Sequence, residues 1–160
     1  MNLEIDISGE DLLSKDYTIC VADNNNLIKG FKFSEKLVKI LSSRYGQGFY
    51  TYKKSRKGKV LFKIRIYSII IYYIIKSFNL KGELNLRICR DFDGKEQEIK
   101  NNLKYLLEEK LKLKCAFEFT KLGRHSHAHN YSYLMRKDKK NKLNTYININ
   151  LENIEKWLKK

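Results

Sequence analysis

Apolar residues recur at helical spacing or alternate with polar ones along most of the chain, and the pattern predicts the same series of elements twice. In the first series residues 17–23 read as a strand, and residues 34–41 as an amphipathic helix capped by Ser34. An aromatic strand at 49–54, a basic turn at 55–59, an alternating strand at 60–66 and a helix at 68–78 complete it. In the second, residues 84–91 alternate as a strand, and 98–111 carry a helical stripe at Ile99, Leu103, Leu106, Leu107 and Leu111. A strand at 115–121, a basic and histidine-rich insertion, a strand at 144–149 and a closing helix at 151–158 complete the second series. The pairs Ile19-Cys20 and Ile88-Cys89 fall at matching points, as do Phe49 and Phe117. The expectation is an α+β chain with a single domain over 1–160, built from pseudo-symmetric repeats at about 1–78 and 79–160, whose sheets combine into one extended surface.

Strand alternation then separates a core face from a partner face. In residues 60–66, Val60, Phe62, Ile64 and Ile66 share one side and Leu61, Lys63 and Arg65 the other. Tyr50 and Tyr52 lead into a basic hairpin holding Lys53, Lys54, Arg56, Lys57 and Lys59, a composition able to contact phosphates with aromatic groups near bases. Charge strengthens this reading. The chain has 33 Lys and Arg against 18 Asp and Glu, a formal charge of +15, with 42% hydrophobic residues, enough for a real core. General disorder is excluded, and nucleic acid is the first partner expected to neutralise such an excess.

The start of the chain has no basic segment followed by an apolar one, and the longest apolar run, 67–75, is too short to span a bilayer. Cys20, Cys89 and Cys115 are odd in number and lack paired spacing, which predicts a reduced, cytoplasmic protein with buried thiols and no membrane partner.

Residues 35–41, 57–68 and 144–154 are similar in kind and order to lines of the LAGLIDADG homing endonucleases. The resemblance implies a saddle of antiparallel strands over double-stranded DNA, helices on the other face, a monomer, and two acidic residues at the ends of central motif helices. Those acids would hold Mg²⁺, which takes hard oxygen ligands and activates water for phosphodiester hydrolysis. Residues 3–11 resemble the first motif and put Glu10 at the metal-binding acid; a register two residues earlier puts Ser8 there, after Asp6. For the second motif, the spelling of 86–94 makes Asp93 the ligand, whereas the repeat favours 74–82 and puts Lys81 in its place. Lys63 and Arg65, with the hairpin cations, would meet the backbone and groove, and Lys139 and Lys140 would do so from the second half. The implied activity is site-specific, metal-dependent double-strand cleavage, with Glu10 and Asp93 both catalytic and metal-binding. A non-catalytic DNA- or RNA-binding module, such as one assisting splicing, is the alternative from another class.

His125, His127 and His129 are all the histidines, and in an extended segment they would share one face where imidazole nitrogens could bind a transition metal. The run is formally similar to the motif of histidine-triad nucleotide hydrolases, and two of its histidines to the pair of rolling-circle replication endonucleases, for which Tyr131 and Tyr133 would be candidate nucleophiles. With Lys121, Arg124, Arg136 and Lys137 nearby, the favoured reading is a polar insertion that touches nucleic acid. One further resemblance starts from residues 6–9 as a strand, followed by the strand at Tyr17 and later by Asp91 or Asp93. It is similar to ribonuclease H-like nucleases, in which strand-end carboxylates gather two metal ions.

Overall fold

The structure is a computed structural model that describes residues 1–158. Its α+β architecture is a single five-stranded mixed sheet with helices on both faces. The strands are β1 (Asn2–Ser8), β2 (Thr18–Ala22), β3 (Ile28–Lys32), β4 (Glu83–Cys89) and β5 (Lys114–Thr120), arranged in the order β3-β2-β1-β4-β5. The first three form antiparallel neighbours, whereas β4 runs parallel to β1 and β5 parallel to β4. Registers Asp6 to Cys20 and Ile5 to Ile88 make β1 the central strand on which both halves are built.

Helix α1 (Glu35–Gly46) begins at Ser34, whose side chain accepts from the Leu37 amide at 3.1 Å, as the sequence predicts. Helix α2 (Arg56–Ser77) corrects two expectations at once. The strand expected at 60–66 and the helix expected at 68–78 are parts of one 22-residue helix, and the basic turn is its first turn, capped by Ser55. Its buried run from Ile66 through Tyr72 leaves no polar face, because a helix surrounded by protein has lost the periodicity that marks an amphipathic one. The two cations that imitated strand alternation are held internally. Lys63 pairs with Asp11 at 2.8 Å, and Arg65 donates to the Trp157 carbonyl at 2.8 Å and to Asn102 at 2.7 Å.

Helix α3 (Glu96–Leu103) continues as a π-helical segment (Lys104–Lys110), keeping Ile99, Leu103, Leu106 and Leu107 in the core. Residues 49–54 form no strand, and 144–149 contribute one isolated bridge, Tyr146 to Gly30. Two further helices complete the described residues, α4 (His127–Lys137) and the short α5 (Leu151–Glu155), the latter opened by reciprocal Asn150 and Asn153 bonds. Residues 3–11, expected as a motif helix, instead supply β1 and the bend after it, because Leu3 and Ile5 alternate with Glu4 and Asp6 between two covered faces. Two like repeats are therefore not what the chain builds: an antiparallel hairpin series comes first and a parallel crossover series second.

The two sheet faces differ in side-chain size. Leu3, Ile5, Ile19, Val21 and Phe31 join the large apolar cluster that contains α2. The other face, with Asp6, Cys20, Ala22 and Gly30, receives α4, whose Ala128, Ser132 and Met135 are buried. No described helix is long and apolar enough to cross a membrane.

Gly58, in the first turn of α2, has no room for a side chain: a Cβ there would lie 2.0 Å from the Lys53 carbonyl oxygen. Since that obstacle is backbone, Gly58→Ala is expected to lower stability by about 1–3 kcal/mol in urea unfolding. An unchanged midpoint would show that the turn before α2 yields freely.

Candidate metal centre

Asp6 sits near the C-terminal end of β1 on the α4 side of the sheet, 2% exposed. Burial of a carboxylate requires compensation, and neighbouring polar groups supply it. The Ile7 amide donates to Oδ1 at 2.8 Å, and His129 Nδ1 lies 2.7 Å from Oδ2. His129 reaches it because Ser126 caps α4, its side chain accepting from the His129 amide at 3.2 Å, so the ring projects from the first turn toward β1. This corrects the extended histidine face: residues 127 to 129 are helical, His125 stays outside the helix, and the three imidazoles do not share one side.

Parallel pairing carries β4 beside β1 and places Cys89 next to Asp6 on the same face. Beyond Cys89 the chain turns, the Asp91 amide donating to the Cys89 carbonyl at 3.0 Å, and Phe92 anchors that turn by packing on Tyr67 at 5.2 Å. Ligand atoms of Asp6, Cys89 and Asp91 then lie within 4.8 Å of one another. This is the crevice outside the carboxyl ends of parallel strands, beside the strand from which the sheet grows in both directions, where open sheets hold ligands.

The electrostatics are unbalanced. Asp91 is exposed at the rim, yet its carboxyl is pushed up to about 6, first by protein displacing water around it and then by the Asp6 charge, with the Cys89 thiol partly offsetting. Burial and the same acids hold the thiol protonated, near 12. Below them the wholly buried Tyr67 hydroxyl has no hydrogen-bond partner and is raised in the same direction. Two carboxylates with a protonated thiol between them are a donor set suited to a hard divalent cation, which binds oxygen and relieves their repulsion.

Glu10 and Asp93, expected as the metal acids, are not members of this group. Glu10 is exposed in the bend after β1, and Asp93 is exposed two residues past Asp91, near enough to help raise its pKa. Lys81, the other placement, is exposed just before β4. Among the expected nucleic-acid contacts, Tyr50 is buried with its hydroxyl donating to Glu155 at 2.7 Å, and Tyr52 packs against the core. Lys53, Lys54, Arg56, Lys57 and Lys59 are exposed, whereas Lys63 and Arg65 are half-buried in their bonds to Asp11, Trp157 and Asn102. Lys121, Arg124, His125, Lys137 and Lys140 are exposed; Lys139 pairs with Asp16 at 3.0 Å, and His127 and Arg136 are half-buried. Reading by family motif passes over Cys89 and His129 as partners of Asp6. Strict alternation in residues 2–8 is the signal that could have moved attention from Glu10 to Asp6. No protein-family model, curated protein or solved structure matches the chain.

Because the Asp91 carboxyl holds its proton more tightly folded than unfolded, native stability is lost as pH rises from about 4, its ordinary range, through about 6. Asp91→Asn, uncharged throughout, is expected to melt above the wild type at about pH 8 in chelator and level with it below about pH 4. Identical melting at both pH values would remove the repulsion from the account.

Proposed function

We propose that the chain is a metal-dependent nuclease in which Asp6 and Asp91 hold a divalent cation, Mg²⁺ by the hardness of the oxygen donors, against a phosphodiester of nucleic acid. The observation that carries the reading is the convergence of these two carboxylates from the ends of adjacent parallel strands. It favours the ribonuclease H-like resemblance over the LAGLIDADG one, because the acids come from strand ends rather than from paired helices. The order β3-β2-β1-β4-β5 sets β1 beside β4, so that the acid of one strand end lies next to that of the other.

The chain's own residues have definable tasks. His129 fixes the plane of the Asp6 carboxylate through Oδ2, leaving lone pairs on both oxygens for a cation. Asp91, at the solvent side, is the ligand that an arriving ion meets, and it must shed its proton to bind. The bound ion would supply Lewis-acid charge to the phosphoryl group and lower the pKa of a water molecule. Cys89, protonated, serves as a hydrogen-bond donor to the acids rather than as a soft ligand.

Cations gather at this same rim. The Lys63 to Asp11 pair ties the first half of α2 to the loop leaving β1, so Arg56, Lys57 and Lys59 lie in helix turns at the end of the sheet where Asp6 stands. The last turn of α4, which lies over β3, carries the half-buried Arg136 and the exposed Lys137. A polyanion drawn to these groups arrives beside the carboxylates, and its affinity should fall steeply with salt.

The test is cleavage of plasmid, duplex and single-stranded substrates by purified protein with Mg²⁺ or chelator. Asp6→Asn and Asp91→Asn are expected to lower the rate at least about a hundredfold with binding changed little, and His129→Ala to lower it about 10–100-fold. Glu10→Gln is expected to cut like the wild type. Salt-sensitive binding with no Mg²⁺-dependent cutting would replace the nuclease with a binding module, and loss of cutting in Glu10→Gln alone would return the metal to the motif acids.

A further inference from the structure

Beside the carboxylates, on the outer side of α4, lies an open cleft of about 420 Å³ lined by Ile7, Ser8, His129, Asn130, Ser132, Tyr133 and Leu134. Ser8 lies two residues past Asp6 and shares its face of β1, so the cleft begins where the candidate metal centre ends. His129 belongs to both.

Helical spacing sets the order of side chains along this cleft. Tyr133 stands four residues after His129 and Lys137 four after Tyr133, so the three side chains form one stripe along α4, about one turn apart. The first holds Asp6. The second is an aromatic ring 55% exposed in a chain whose other tyrosines are at least half-buried, and Leu134 beside it is 52% exposed. The third places Nζ 5.4 Å from the centre of the Tyr133 ring. Ala128, Ser132 and Met135 tie the helix down from the opposite side, so this aromatic is presented on a fixed support.

We infer that the His129, Tyr133 and Lys137 stripe is the track of a single nucleic-acid strand, with Tyr133 a stacking platform for an unpaired base next to the phosphate at Asp6 and Asp91. The inference rests on the nuclease reading and names its substrate class. An aromatic face with a cation at its edge binds any base by stacking, while the cation meets the backbone. A base inside a duplex has both faces covered by its neighbours and cannot use such a platform without being extruded. The occupant is therefore a single-stranded or locally unpaired segment of DNA or RNA.

The experiment measures anisotropy of short fluorescein-labelled oligonucleotides of mixed sequence, single-stranded DNA, single-stranded RNA and DNA duplex, with the full chain in chelator at fixed low salt. Cleavage of the same substrates with Mg²⁺ is monitored in parallel. Single strands are expected to bind more tightly than duplex. Tyr133→Ala is expected to weaken single-strand binding about tenfold, with duplex binding nearly unchanged, and Tyr133→Trp to restore it. Because the ring is exposed, both variants should melt with the wild type, and a melting curve checks this. Unchanged single-strand binding in Tyr133→Ala, or preference for duplex, overturns the track. The two failures are separable: Tyr133-dependent binding without any cutting defeats the nuclease and keeps the track, whereas cutting that ignores Tyr133 defeats the track and keeps the nuclease.

Discussion

The close seating of α4 on the sheet is the constraint on which the site depends. Side chains opposite it are small: Cys20 and Ala22 on β2 and Gly30 on β3, where a Cβ would lie 2.6 Å from the Met135 side chain. Small residues let the helix approach until Ser132 comes within reach of the Ile7 carbonyl and His129 within 2.7 Å of Asp6. A bulkier residue at Gly30 would have to lift the last turns of α4. His129 and Tyr133 would lose their places together, because they ride on the same rigid element.

That seating makes a buried acid tolerable. Asp6 is in the central strand, between an apolar cluster on one side and a helix on the other, where water cannot solvate its charge. The Ile7 amide and the His129 ring offset part of the cost, yet Asp91 approaches from β4 with charge of the same sign. A sequence selected for stability alone would place an apolar pair there. Local conflict of this kind, in a chain otherwise consistent from capping to core, is where function is to be sought.

Legibility in the sequence tracked the physics of each element. The strand at 84–91 and the helices at 34–41 and 98–111 were readable because each has one buried and one wet face, whereas the strand at 17–23, buried on both faces, showed as a short apolar run bounded by polar residues. Helix α2 was not, since Val60, Phe62, Ile64 and Ile66 alternate by accident within a segment buried on nearly every side. The matched Cys pairs gave an impression of repetition, although Cys20 lies in an antiparallel partner of β1 and Cys89 at the end of a parallel one. Asp6 and Asp91 were each visible as strand-end acids, but their meeting with His129 joins positions from three distant parts of the chain. No local period encodes that; it arises from β4 pairing with β1 and α4 returning across the sheet.

The same geometry engages part of the chain's cationic complement. Several cations that composition alone assigns to a partner are engaged within the fold: Arg44 with Glu155, Lys63 with Asp11, Arg87 with Glu4 and Glu118, and Lys139 with Asp16. Arg65 is tied to a carbonyl and an asparagine instead. The pairings matter in position more than in number, since Lys63 brings the start of α2 to the rim and Lys139 fixes the chain just past α4 to the loop between β1 and β2. Each thereby fixes the backbone that carries a neighbouring cation, Lys59 in one case and Lys137 in the other. Internal ion pairs thus act here as positioning elements, setting which parts of the surface carry the remaining positive charge.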